Sequence, residues 1–210
     1  MGLSNYTPSS RISQSGVCTS TTRPATPYEG QVIYETDTDM VAVWNGSSWR
    51  YIASTTATNG TILQIASTTK SDTFTSTGTT WTDVTGLSAS ITPKSSSSKI
   101  FVNAMVSGTG GVGTTNFFSR LVRDSTAIGI GDASGSRNRV SIASPDRYFP
   151  SVMPIMYLDS PATTSSITYK IQIASQSAGT TVYINRATDD PDSATSPRTI
   201  STITLMEIAG

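Results

Sequence analysis

The chain has 210 residues, in which Lys plus Arg and Asp plus Glu balance at 14 each and charged side chains make up only 13%, so it lacks the clustered basic footprint that nucleic-acid phosphates require. It contains no histidine and one cysteine, Cys18, which removes the commonest general base and metal ligand and leaves no intrachain disulfide. Ser and Thr together number 69, and no run approaches the ~18 apolar residues of a membrane-spanning helix.

The first six residues, Met-Gly-Leu-Ser-Asn-Tyr, hold no basic region leading into an apolar run. No secretory signal and no membrane partner are therefore expected, and synthesis belongs in a reducing, soluble compartment. Residues 1–30 carry Pro8, Pro24 and Pro27 with almost no apolar periodicity. Such a segment buries too little to offset its chain entropy, so an extended arm ordered only against a partner is expected. Its gripping residues would be Ile12, Val17, Pro24, Pro27 and Tyr28.

Three short aromatic and β-branched runs follow at 31–35, 40–44 and 49–52, separated by Thr36-Asp37-Thr38-Asp39 and by Asn45-Gly46. This pattern predicts a small β-meander over 31–53. A sheet that small is marginal alone and calls for another subunit or domain to lie on. Residues 54–60, ending in Asn59-Gly60, read as a linker.

From 61 to 210 period-2 alternation recurs at 62–67, 72–75, 81–84, 87–92, 100–106, 117–123, 127–130, 139–142, 152–158, 167–173, 181–184 and 200–208. Many short strands between closely spaced turn signals predict an antiparallel β-sandwich, jelly-roll-like in type. Threonine, β-branched and uncharged, suits the wet face of such sheets. The fold class is all-β.

Few residues suggest chemistry. Gly108-Thr109-Gly110-Gly111-Val112-Gly113-Thr114 has no lysine and leads into a strand, so it reads as an inter-strand loop rather than a phosphate cradle. Asp189-Asp190-Pro191-Asp192 lacks calcium-loop spacing. It reads as a solvated turn, with a weak Ca²⁺ site on a threefold axis as the alternative. Arg120, Arg123, Arg137, Arg139 and Arg147 interleave with Asp124, Asp132 and Asp146. They read as surface or subunit-interface pairs, the alternative being a site for anionic glycans. Tyr148 and Phe149, with Tyr157 and Tyr183, could stack on sugars or be buried in core or interface. Asp72 and Asp83 are the one carboxylate pair that suggests a glycosidase, and nothing in the sequence fixes their separation. No catalytic residue, cofactor or metal is expected.

Two stretches carry a resemblance. Ser10-Arg11-Ile12-Ser13-Gln14-Ser15-Gly16-Val17 is followed by Arg23-Pro24-Ala25-Thr26-Pro27-Tyr28-Glu29-Gly30-Gln31-Val32-Ile33-Tyr34-Glu35-Thr36-Asp37-Thr38 and Val43-Trp44-Asn45-Gly46-Ser47-Ser48-Trp49. This resembles the RP-P-EGQ-IYETDT…WNG-W stretch of tailed-bacteriophage virion structural proteins, the tail-fibre-like and minor tail family. Ile65-Ala66-Ser67-Thr68-Thr69-Lys70-Ser71-Asp72-Thr73-Phe74, Trp81-Thr82-Asp83-Val84-Thr85-Gly86-Leu87, Ile91-Thr92-Pro93, Ser98-Lys99-Ile100 and Thr204-Leu205-Met206-Glu207-Ile208 resemble the C-terminal β-sandwich module of the same family.

The resemblance implies a non-enzymatic virion protein, homotrimeric and surface-exposed, fixed to the particle by its N-terminal segment. Its partners would be itself and other tail or capsid proteins, with a host surface glycan as partner under the adhesin reading below. The chain departs from longer relatives in having no coiled coil, collagen-like repeat or long β-helical shaft. That fits a short tail-associated fibre or a capsid decoration protein (cement or head fibre). A host-glycan-binding adhesin module is the alternative of another class.

Overall fold

The computed structural model describes residues 16–54, 59–111, 116–144 and 149–210. The described residues contain no helix, and the chain divides into two units, Met1–Thr58 and Asn59–Gly210.

The first unit is a four-stranded sheet in chain order: β1 (Gly16–Cys18), β2 (Val32–Glu35), β3 (Met40–Trp44) and β4 (Trp49–Ser54). The meander forms where the aromatic and β-branched runs predict it. Its turns rest on Asp39 at φ 53° and Gly46 at φ 90°, the left-handed region that Asp and Gly tolerate best. Asn45 Oδ1 also accepts the Ser47 and Ser48 amides at 3.1 and 2.8 Å, closing the second turn. Ser54, read as linker, is the last residue of β4.

The expectation of a free arm fails for residues 16–30. β1 pairs in parallel with β2, Gly16 opposite Ile33 and Cys18 opposite Glu35. The chain then folds back through a hydroxyl-rich turn in which Ser20 binds Asp37 and Thr22 binds Thr19. Polar side chains bonding to backbone and to one another hold this segment, which apolar periodicity could not register.

The second unit is a sandwich of two antiparallel sheets. Its strands are β5 (Ile62–Lys70), β6 (Phe74–Thr77), β7 (Thr82–Ile91), β8 (Lys99–Thr109), β9 (Phe117–Arg123), β10 (Thr126–Ile128), β11 (Ile142–Ala143), β12 (Ser151–Asp159), β13 (Ile167–Ser175), β14 (Thr181–Ile184) and β15 (Ser201–Ile208). The five-stranded sheet runs β10-β9-β13-β7, with β11 also on β9. The six-stranded sheet runs β5-β15-β8-β14-β6, with β12 on β8. Strands adjacent in a sheet are mostly distant in sequence, so the core closes only when the whole unit assembles.

Alternating residues of both sheets meet in one core, among them Leu87, Ile91, Val102, Val106, Phe117, Leu121, Ile155, Tyr169, Ile171, Ile184 and Leu205. β7, expected as two strands, is continuous. Lys170 faces Ser88 and Gln172 faces Asp83, so four residues of β7 bulge opposite Ile171, and Gly86 at φ 81° makes the bend. Gly108 and Thr109, expected in a loop, prolong β8 and are buried.

Candidate interaction surfaces

The two outer faces of the sandwich differ in chemistry. On the five-stranded sheet, register sets Arg120 beside Gln172 and Gln172 beside Asp83. Arg120 donates two bonds to Gln172 Oε1 at 2.6 and 2.8 Å, and Gln172 Nε2 donates to Asp83 at 2.6 Å. Lys170 reaches the other Asp83 oxygen at 2.7 Å. The Arg120 guanidinium lies 4.1 Å from the centre of the Trp81 ring, a cation–π stack. Around Asp83 this face is a self-satisfied polar lattice suited to water.

The six-stranded sheet presents the opposite. Residues pair in three rows across β12, β8, β15 and β5: Leu158–Phe101–Met206–Ile65, Met156–Asn103–Thr204–Ser67 and Pro154–Met105–Thr202–Thr69. None of the twelve is charged. Met156 is 66% exposed, Ile65 59%, Val152 55%, Leu158 48% and Met105 45%. Seven of the twelve are apolar, on either side of a mainly polar row, and an uncharged surface with apolar side chains this exposed marks a place that meets something else.

The small sheet repeats the contrast. One face buries Ile33, Ala42 and Glu35, with the 19–30 segment attached through Arg23. The Arg23 guanidinium donates to Glu35 at 2.5 Å and to the Tyr51 hydroxyl at 2.8 Å. That guanidinium holds the Glu35 carboxyl below the ordinary glutamate range against the opposing effect of burial, helped by Thr38 and Tyr51. The other face lines up Val17, Tyr34 and Val41, with Val32 beside Val43. Val17 is 71% exposed.

The gripping residues of the expected arm therefore separate. Val17 lies on the open face, whereas Pro24, Pro27 and Tyr28 are half-buried in the segment folded along the sheet. Ile12 lies outside the described residues, as does Tyr148 of the glycan pair. Phe149 is half exposed just ahead of β12. Tyr157 packs against Gly129, and the Tyr183 ring lies 4.6 Å from the Arg186 guanidinium.

The remaining candidates are engaged in pairs. Asp72 binds Lys70 at 2.9 Å and Asp83 binds Lys170, on different sheets. The hydrogen bond from Lys70 lowers the Asp72 carboxyl. At Asp83 burial opposes ionisation, but Lys170 and Gln172 outweigh it. Neither has the raised carboxyl that a general acid requires. Asp190 sits between Arg198 at 2.5 Å and Arg186 at 3.7 Å. Arg123 pairs with Asp159, which also accepts the buried Tyr169 hydroxyl at 2.6 Å; its partner is not one of the interleaved aspartates. Among the described residues no three His, Cys, Asp or Glu side chains gather to hold a metal.

The sequence reasoning missed the apolar outer face, although a signal existed. Residues 152–158, Val-Met-Pro-Ile-Met-Tyr-Leu, are apolar without a break, the pattern of a strand buried on both faces. No protein-family model matches the chain, and no curated protein is significantly similar to it.

Proposed function

We propose that this chain is a non-enzymatic structural protein of a bacteriophage virion, a homotrimeric tail-fibre-like or tail-associated component attached through its N-terminal unit. One observation carries the reading: each folded unit leaves one apolar sheet face uncovered, as a protein built to assemble would.

The segment that resembles phage virion proteins supports it further. Several of the residues quoted for the resemblance shape the small fold. Arg23 reaches Glu35, Gly30 bends at φ 83°, Asp37 caps the Ser20 turn, Asn45-Gly46 closes the β3–β4 hairpin, and Trp49 meets Trp44 edge to face at 5.6 Å. The motif therefore reads as the signature of a compact attachment unit rather than of a catalytic loop.

The test is to quantify the chain in purified virions by mass spectrometry and locate it by antibody labelling. A few to a few dozen copies on the tail is the expected result. Hundreds of copies over the head would replace tail placement with capsid decoration, and absence from particles would end the virion reading.

A further inference from the structure

We infer that the outer face of the six-stranded sheet is the docking surface for further copies of this chain, the contact that gathers the proposed homotrimer. The inference rests on the assembly part of the reading above and is independent of its virion part.

The argument starts in β12. Its inward residues Met153 and Ile155 fill the sandwich core, while Val152, Pro154, Met156 and Leu158 point the other way and are exposed. A strand with two apolar faces is stable in water only when both are covered. The five-stranded sheet covers one.

Docking along the strand edge is blocked. β12 pairs only with β8 among the described strands, and Pro154 sits inside nine residues of unbroken register. Its missing N–H must face the free edge, where it interrupts any added strand. For β12, the face is what remains.

Its chemistry fits its own copy. The three rows hold no charge, and the row flanking them carries one exposed cation, Lys99 beside Ile208, so copies can meet over the three rows without repulsion. The polar row of Asn103, Thr204 and Ser67 is made of groups that both donate and accept. Ser67 and Thr204 already bond each other at 2.9 Å, and the same groups can bond their equivalents across an interface. Met105, Met156 and Met206 have the unbranched, adaptable side chains that fill gaps between two pleated surfaces.

The size is adequate. Four strands about 4.8 Å apart, paired over seven to nine residues at about 3.3 Å each, give a flat footprint of roughly 500 Å², of which the three uncharged rows occupy roughly 300 Å². Side-chain relief raises this toward the roughly 800 Å² per partner of a stable interface. Sheets that pack this way sit about 10 Å apart with interdigitated side chains.

The experiment measures the mass of the full chain in solution by sedimentation equilibrium, for wild type, Met156→Lys and a control, Ser88→Lys, on the polar sheet. Circular dichroism checks each fold. Wild type should associate, Ser88→Lys should match it, and Met156→Lys should weaken association about a hundredfold by forcing a charge into the dry face.

A second measurement uses the natural protein. Peroxide should oxidise Met156 quickly in dilute solution and slowly once the chain associates. A monomeric wild type, or equal oxidation rates at both concentrations, would overturn the inference. So would a Met156→Lys protein that keeps the wild-type mass, which would leave the assembly reading intact and move the contact elsewhere. A dimer that Met156→Lys dissociates would uphold the docking face and remove the homotrimer.

Discussion

Asn185 has every polar atom engaged, and through it four strands are tied. Buried at φ 61°, it donates from Nδ2 to the carbonyls of Lys70 and Asp72 at 2.9 Å each and accepts the Ser201 hydroxyl at 2.7 Å. Its backbone N–H donates to Ser107, and its carbonyl accepts the Thr199 amide. Asn185→Asp would turn two donors into an acceptor aimed at two carbonyls. That variant should lose about 3 kcal/mol or more, seen as a lower urea midpoint at unchanged slope. A loss under about 1 kcal/mol would show that the network contributes little. Glu35 makes a different prediction, in pH. Its depressed carboxyl contributes stability that is complete above the ordinary glutamate value and is lost as pH falls through the folded one. Amides of β2 and β3 should therefore exchange faster relative to β8 as pH drops below about 4. Glu35→Gln should abolish that pH dependence; an unchanged profile would place the acid sensitivity elsewhere.

Strands were legible element by element because a half-buried strand writes its pleat into the sequence. Where backbone conformation or close packing decides, the writing stops. The sequence predicts two runs, 81–84 and 87–92, where the structure has one strand, because Gly86 provides a bulge inside β7 rather than a turn. The glycine cluster looked like a loop, yet Gly108 is there for space. A Cβ on it would lie 2.8 Å from Ile184 Cδ1, 2.9 Å from the Phe117 ring and 2.9 Å from the Tyr183 carbonyl oxygen. A carbonyl within a strand cannot step aside, so Gly108→Ala should cost about 1–3 kcal/mol and lower Tm by several degrees, about 2–4 °C per kcal/mol at this size. Adding Ile184→Val should recover part of that loss, since it removes one of the opposing atoms. Purely additive losses would mean that the two positions do not share the strain. The candidate site was hidden for a related reason. Alternation reports which residues face a core, but it does not tell a face covered by the same chain from one left for a neighbour. Only the unbroken apolar run at 152–158, which passes for one more alternating strand, hinted at the second case.

At the scale of the whole molecule, each unit covers one sheet face with its own chain and leaves another open, and the two open faces need not serve the same partner. The small sheet's face includes Arg50 beside Val43, whereas the three rows on the large sheet are uncharged. Association through the large face should therefore hold or strengthen as salt rises, since there is no attraction to screen and apolar burial is favoured by excluded salts. The small face is expected to carry attachment to the particle. Val32→Lys, at a position 38% exposed, should leave the fold and the solution mass unchanged while sharply reducing incorporation into virions. Met156→Lys should dissociate the copies from one another. Particle content and solution mass, measured on both variants, separate these roles. If Val32→Lys dissociated the oligomer and left particle content intact, the small sheet would be the subunit contact and the division of labour between the two faces would be reversed.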